Sequence, residues 1–231
     1  MEKGSLIVFF VFFIGVSAVF VCRSCFSGFL GEFGSFASAF VRSPKNVGSF
    51  IPSSSYLSKA MTKYIVKKES PIKILEVGAG TGVITAKIIE KIGNGDLLDV
   101  IEIDPKLCKV LKKKFKRYKN VRVHGVSILE WKPDCQYDFI VSALPFNSFN
   151  AQMVGFVLDK YKDWIKNNGV LSYVELMGAR KKKYFLRGEK KQDFKKNMDA
   201  RVHFKETFEF DKDRVFLNVP PARVYHLRIK K

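Results

Sequence analysis

Residues Lys73-Ile74-Leu75-Glu76-Val77 form a short apolar run that passes directly into Gly78-Ala79-Gly80-Thr81-Gly82, and then into Val83–Ile89 with apolar residues at helical spacing. The order strand, glycine loop, helix points to an α/β architecture in which a buried strand delivers a ligand-binding loop. Glycines let the backbone turn tightly and lie against a ligand without a Cβ in the way, while free N–H groups open the following helix. A bare G-x-G-x-G is moderately specific, since structural turns also produce it, and here the flanking strand and helix raise its weight. The second strand, Leu97–Ile103, carries Glu102, 24 positions after Gly78. A carboxylate there can accept both hydroxyls of a ribose, as the acid about 20 residues on does in dinucleotide-binding folds. The plainer reading of Glu102 is a strand-end acid paired with a lysine. Glu76 either holds the loop by hydrogen bonds or reaches the charged part of a bound cofactor.

The alternation continues along the chain. A helix is predicted over Ser53–Val66, a lysine-rich helix starts at Pro105 and runs from Leu107 to Tyr118, and a third strand, Val121–Val123, leads into His124-Gly125-Val126-Ser127. The fourth strand, Tyr137–Ser142, ends in the loop Ala143–Phe149. Two terminal strands around Val202–Phe210 and Val215–Ile229 complete the pattern, which predicts a seven-stranded, mostly parallel sheet, covered on both faces and closed by an antiparallel hairpin. Ligands on open α/β sheets gather beyond the carboxyl ends of the strands. The 143–149 loop is therefore expected to face the reacting group, with Pro145, Phe146 and Phe149 suited to an acceptor pocket. Phe146 and Phe149 also read as core plugs.

Length bounds the chain to one such domain, since 231 residues are too few for two with linkers. The formal charge is +19, and because residues 1–41 hold only Lys3 and Arg23 against Glu2 and Glu32, the whole excess lies in residues 42–231. Such a body expects a polyanionic partner, nucleic acid or an anionic membrane. Four cysteines at 22, 25, 108 and 135 do not make a disulfide framework, and the isolated Cys22-Arg23-Ser24-Cys25 is a weak metal or redox signal.

The first 41 residues are of another kind. Gly4–Val21 is an uncharged run of 18 residues, about 27 Å as a helix against a hydrocarbon core of roughly 30 Å. Residues 1–25 read as a membrane anchor, with a cleaved signal as the competing reading. Phe26, Phe29, Leu30, Phe33, Phe36, Ala37 and Phe40 then recur at intervals of three and four, so residues 26–41 read as an amphipathic helix at a membrane interface. Residues 42–231 are the folded body. Whether the head spans the bilayer or dips into it stays open, and a nucleotide-type cofactor places the body on the cytoplasmic side.

At these residues the chain resembles the class I S-adenosylmethionine methyltransferases, through Ile74-Leu75-Glu76-Val77-Gly78-Ala79-Gly80-Thr81-Gly82 for the cofactor loop and Asp99-Val100-Ile101-Glu102-Ile103-Asp104 for the ribose strand. A nicotinamide enzyme fits less well, because the wider G-x-G-x-x-G spacing is missing. Three further patterns, Val47-Gly48-Ser49-Phe50-Ile51-Pro52-Ser53-Ser54, Ser142-Ala143-Leu144-Pro145-Phe146 and Asn218-Val219-Pro220-Pro221-Ala222-Arg223-Val224-Tyr225, resemble bacterial phospholipid N-methyltransferases of the soluble-domain type over about residues 40–231. That resemblance implies stepwise N-methylation of phosphatidylethanolamine toward phosphatidylcholine at an anionic membrane surface, with no nucleic acid and no metal. Oligomeric state is not legible.

The same resemblance implies cofactor contacts from Glu76, Gly78, Ala79, Gly80, Thr81, Gly82, Glu102, Ile103, Ser127, Ile128 and Ser142. Val126 stands where relatives carry an adenine-contacting aspartate, which leaves Ser127 or the backbone to substitute. Tyr56, Pro145 and Phe146 are the expected catalytic residues, and Ser49, Tyr56, Phe146, Phe149 and Arg180 the expected substrate contacts, aromatic faces being good partners for a quaternary ammonium product. Arg180–Lys183 with Arg187, Lys190, Lys191, Lys195 and Lys196 form a basic stretch suited to lipid phosphates. His124, His203 and His226 sit in strand-like stretches and read as structural. The runner-up is the ribosomal RNA adenine dimethylase family, whose acceptor loop carries Asn and Tyr where this chain has Ser142 and Phe146, and whose extra helical domain finds no room in strand patterns that run to Ile229. A non-catalytic membrane-bound sensor of S-adenosylmethionine is the third reading.

Overall fold

A computed structural model describes residues 53–178 and 186–231. The anchor and interface helix expected over residues 1–41, and the site residues Ser49 and Arg180, lie outside the described residues. The elements in order are α1 (Ser55–Met61), β1 (Lys73–Val77), α2 (Val83–Ile89), β2 (Leu97–Ile101), α3 (Pro105–Lys114), β3 (Val121–His124), β4 (Tyr137–Ser142), a 3-10 turn (Phe146–Ser148), α4 (Ala151–Trp164), β5 (Ile165–Leu176), α5 (Gly188–Phe208), β6 (Glu209–Val215) and β7 (Ala222–Ile229).

The seven strands make one sheet in the order β3-β2-β1-β4-β5-β7-β6. β3, β2, β1, β4 and β5 run parallel, β7 pairs antiparallel with β5, and β6 pairs antiparallel with β7. The fold is the expected α/β, Rossmann-like sheet with its terminal antiparallel hairpin. Strands β1 and β4 are buried along nearly their whole length, as strands covered on both faces must be. Because β6 runs with β1 to β5, the β6–β7 turn lies at the same end of the sheet as the glycine loop.

One charge in the sheet is fully buried. Asp99 on β2 accepts a bidentate pair from Arg122 Nε and Nη2, both at 2.7 Å, contacts His124 Nε2 at 2.7 Å and accepts from the Tyr137 hydroxyl at 3.0 Å. A carboxylate without water is tolerable only when saturated in this way, and the cluster stitches β2, β3 and β4. His124 is thus a structural residue.

Two segments depart from the sequence expectation. Residues 202–208 are helix, not strand, because α5 continues to Phe208. Its inward stripe is Phe194, Asn197, Arg201, Phe204 and Lys205, spaced as one helical face but half polar, so hydropathy did not display the 3.6-residue period. His203 therefore lies on a helix. Val215–Ile229 is not one strand: β6 ends at Val215 and β7 starts at Ala222. The first helix is also shorter than the predicted Ser53–Val66. Ser54 caps it by accepting from Leu57 N at 3.1 Å, and it ends at Met61.

Candidate active site

The glycine loop leaves β1 and folds back on the end of β2. Gly78 N donates to Ile101 O at 2.9 Å, and Gly80 N donates to Glu102 Oε2 at 2.7 Å, while Glu102 Oε1 accepts from Asp104 N at 2.9 Å. Glu102 is therefore at the loop, as its spacing implied, and not in a lysine pair. Its carboxyl is pushed upward by burial, with the Asp104 and Gly80 amides pulling the other way.

The glycines divide their work. Gly82 has φ +76, and a Cβ there would lie 2.7 Å from Leu111 and 2.8 Å from Phe115, so it is needed for packing α2 against α3. Gly80 has φ +56 and no atom within 4 Å of a Cβ position. The space above Gly80 is open, as a ligand lying on the loop requires. Ala79 is buried and Thr81 exposed at its sides.

Glu76 is 1 % exposed, and neither carboxylate oxygen has a hydrogen-bond partner among the described residues, nor has the neighbouring Thr85 hydroxyl. Burial, reinforced by the nearby Glu102 charge, pushes its carboxyl up to about 8. A buried acid with unmet acceptors beside a glycine loop fits a ligand that brings donors or positive charge. The ammonium and sulfonium of S-adenosylmethionine meet that description.

Farther along the crevice, Ser127 is buried and its hydroxyl oxygen accepts from Leu129 N at 3.1 Å, leaving its proton to donate. Ile103 is partly exposed and Ile128 is buried. Ser142 is fully buried and accepts from the Tyr161 hydroxyl at 2.7 Å, so it faces the core beneath the acceptor loop.

The acceptor loop is held by a residue that sequence reasoning missed. Asn197 on α5 donates to Phe146 O at 2.9 Å and to Phe149 O at 2.6 Å, and accepts from Arg201 Nε at 2.9 Å. Arg201 Nη1 and Lys205 Nζ both approach Glu175 Oε1, at 3.0 and 3.2 Å. The one signal for this chain of polar groups was Asn197, Arg201 and Lys205 recurring every four residues.

The expected aromatic pocket is not assembled as foreseen. Phe146 is 1 % exposed and packs edge-on against Phe149 and Tyr173, with ring centroids at 6.0 and 5.4 Å, which makes it a core plug with Pro145 at its rim. Tyr56 is 57 % exposed and lines a separate cleft of about 480 Å³ with Lys59, Lys63, Arg214, Phe216 and Leu217. That cleft is at the β6 end, three strand spacings, about 14 Å, from the end of β4.

Ser54, at the end of the first of the three restrictive patterns, meets the last. Ser54 N donates to Asn218 Oδ1 at 3.0 Å, and Asn218 Nδ2 donates to Pro220 O at 2.8 Å. Asp211, Asp213 and His226 bring ligand atoms within 4.8 Å of one another, but Lys63 already pairs with both aspartates, at 2.7 and 3.1 Å, and His226 is held between Ser172 and Asp213. The cluster is an ion-pair network, and His226 a structural residue.

Residues 41–168, more than half the chain, match the family Ribosomal RNA adenine dimethylase. The chain belongs to this family. Its fold superposes on the N-methyltransferase NodS of Bradyrhizobium japonicum WM9 in complex with S-adenosyl-l-homocysteine, with a TM-score of 0.61 at 13% identity, over 84% of this chain and 99% of that one. The dimethylase-family member described here is thus a methyltransferase whose cofactor is S-adenosylmethionine. An ornithine lipid N-methyltransferase of Singulisphaera acidiphila is 26% identical over 195 residues, 82% of this chain and 92% of that protein. An rRNA adenine N-6-methyltransferase of Lysinibacillus sphaericus is 30% identical over 104 residues, 45% of this chain and 41% of that protein.

Proposed function

We propose that this methyltransferase N-methylates the amine headgroup of a membrane lipid, phosphatidylethanolamine and its mono- and dimethyl forms, at an anionic membrane surface on the cytoplasmic side. The observation that carries the reading is the extent of likeness. The family match ends at residue 168, within β5, and the rRNA enzyme from Lysinibacillus covers under half of this chain. The lipid enzyme from Singulisphaera is similar over 82% of it, a share too large to stop within β5. That relative also favours ornithine lipid as a second amine substrate.

S-adenosylmethionine supplies an electrophilic methyl group, and the chain supplies position. Glu102 and the Gly78–Gly82 loop hold the donor side, Ser127 offers a hydroxyl proton at the adenine side, and Asn197 fixes the loop across which the amine enters. Alignment of two reacting centres is worth effective molarities of about 10⁵–10⁸ M. The amine must be neutral to react, and a partly dry pocket disfavours ammonium without a strong base.

The test is transfer of labelled methyl groups to vesicles of phosphatidylethanolamine, to vesicles of ornithine lipid, and to ribosomal RNA. Label in phosphatidylethanolamine is expected. Label in ornithine lipid alone would move the substrate, and label in RNA alone would end the lipid reading. Labelling of none of the three would favour a sensor that binds the cofactor without turning it over.

A further inference from the structure

The β6–β7 hairpin carries two features that neither the cofactor site nor the acceptor loop uses. Its tip presents Phe216, Leu217 and Val219 at 67 %, 65 % and 68 % exposure. Large apolar side chains grouped on one short turn mark a contact surface. Directly behind the tip, Arg214 on β6 and Arg223 on β7 are register partners. Like charges placed opposite each other across two strands destabilise a sheet, and among the described residues neither arginine has an ion-pair partner. Arg223 Nε is buried without a hydrogen-bond acceptor. Both line a cleft of about 450 Å³ between α5 and the hairpin, together with Lys205 and Lys212. Glu206 and Glu209 also line it, and Lys212 is already paired with Glu209 at 3.3 Å, as Lys205 is with Glu175. The two arginines and Glu206 are the lining charges left without a salt bridge, a net positive remainder that an oxyanion would meet.

Position decides which oxyanion. The tip lies at the carboxyl end of the parallel strands, the end of the glycine and acceptor loops. Asn218, in the middle of the tip, accepts from Ser54 N, so the segment leading into α1 lies beside this turn. A nucleic acid offers phosphates but no apolar phase for three solvent-facing aliphatic and aromatic side chains. A bilayer offers both, phosphates at the surface and acyl chains beneath.

We propose that the β6–β7 hairpin is a membrane-docking element, with Phe216, Leu217 and Val219 entering the acyl boundary while Arg214 and Arg223 hold a lipid phosphate in the cleft behind them. The inference rests on the lipid reading of the active site and adds which surface meets the bilayer. Docking by this turn points the open ends of β1, β2 and β4 at the lipid headgroups, so an amine reaches the acceptor loop without leaving the membrane.

The full chain carrying Phe216→Trp is mixed with phosphatidylcholine vesicles, with and without phosphatidylglycerol, whose acyl chains are brominated to quench indole. The unsubstituted chain, with its own two tryptophans, supplies the background. Quenching of the added tryptophan is expected with the anionic vesicles. Adding Arg214→Gln and Arg223→Gln should weaken that interaction roughly fivefold for each charge removed, whereas Lys109→Gln with Lys113→Gln on α3 should leave it unchanged. Absence of quenching in protein that pellets with the vesicles would overturn the proposal, as would equal loss in the α3 variant or a response to duplex RNA in place of vesicles. Methyl transfer to phosphatidylethanolamine without quenching would sink the docking surface alone. Quenching without transfer would leave docking standing and remove the substrate.

Discussion

The two halves of the sheet solve the same problem, seating polar groups beside a ligand, with different reach. Around β1, β2 and β3 the partners are near in sequence: Glu102 accepts from an amide two residues on and from another 22 residues back. Around β5, β7 and β6 they are far: Asn197 reaches back 51 residues to Phe146, and Ser54 reaches forward 164 to Asn218. The family match covers the first half and stops as the second begins. Holding the methyl donor is thus a local property of one βαβ unit, while holding the acceptor depends on contacts made only when the whole domain has closed. This separation can be broken by substitutions on either side.

The largest effect is expected at Gly82. An alanine there combines a left-handed backbone, costing about 1–2 kcal/mol, with a Cβ driven into Leu111 and Phe115 at 2.7 and 2.8 Å, costing about 1–3 kcal/mol. Gly82→Ala should lower unfolding free energy by about 3 kcal/mol in urea titrations. Gly80→Ala meets no such neighbour and should cost only about 1–2 kcal/mol of stability, while weakening cofactor binding about tenfold by calorimetry, a loss of about 1.4 kcal/mol. Equal stability losses would show that the two glycines do not divide packing from ligand approach.

On the other side, Asn197→Ala removes the side-chain donor shared by the Phe146 and Phe149 carbonyls and the acceptor of Arg201 Nε, while Phe149 N still reaches Phe146 O at 3.3 Å and Arg201 keeps Glu175. Stranded buried polar groups cost about 1–3 kcal/mol each, with partial relaxation, so a destabilisation of about 2 kcal/mol is expected. Methyl transfer should fall with it, and cofactor affinity should hold. A parallel fall in affinity would mean that acceptor loop and glycine loop are one unit.

The same contrast explains what could be read before the fold was known. The strand, glycine loop and acid-ended second strand were legible because their contacts span a few dozen residues at fixed spacing. The seven strands and the closing hairpin followed from alternation. Residues 202–208 were misread because Asn197, Arg201 and Lys205 occupy inward positions that hydropathy scores as surface, and the partly buried Glu175 that pairs with Arg201 and Lys205 lies on β5. Tyr56 was paired with Phe146 on aromatic chemistry alone, yet α1 carries it to the β6 end of the sheet. No local pattern reports such a placement.

The most local of the expected effects is a slope. Burial holds the Glu76 carboxyl at about 8 against an ordinary value of 4.5. Between those limits the folded protein binds more protons than the unfolded chain, so stability falls as pH rises through the window and levels off above about 8. One such group contributes at most about 1.4 kcal/mol per pH unit. His226 acts in the opposite sense: burial lowers its value from 6.5, so its contribution is lost on acidification. The measurement is therefore the difference between wild type and Glu76→Gln across pH 5 to 8, in which the histidine cancels. A wild-type stability that declines toward alkaline pH while the Gln variant stays flatter is expected, and parallel curves would show Glu76 to be ionised in the free protein. A declining curve also implies that a cationic ligand seated beside Glu76 draws its proton off. Cofactor binding should then release protons near neutrality, measurable as a buffer-dependent binding heat that the Gln variant lacks.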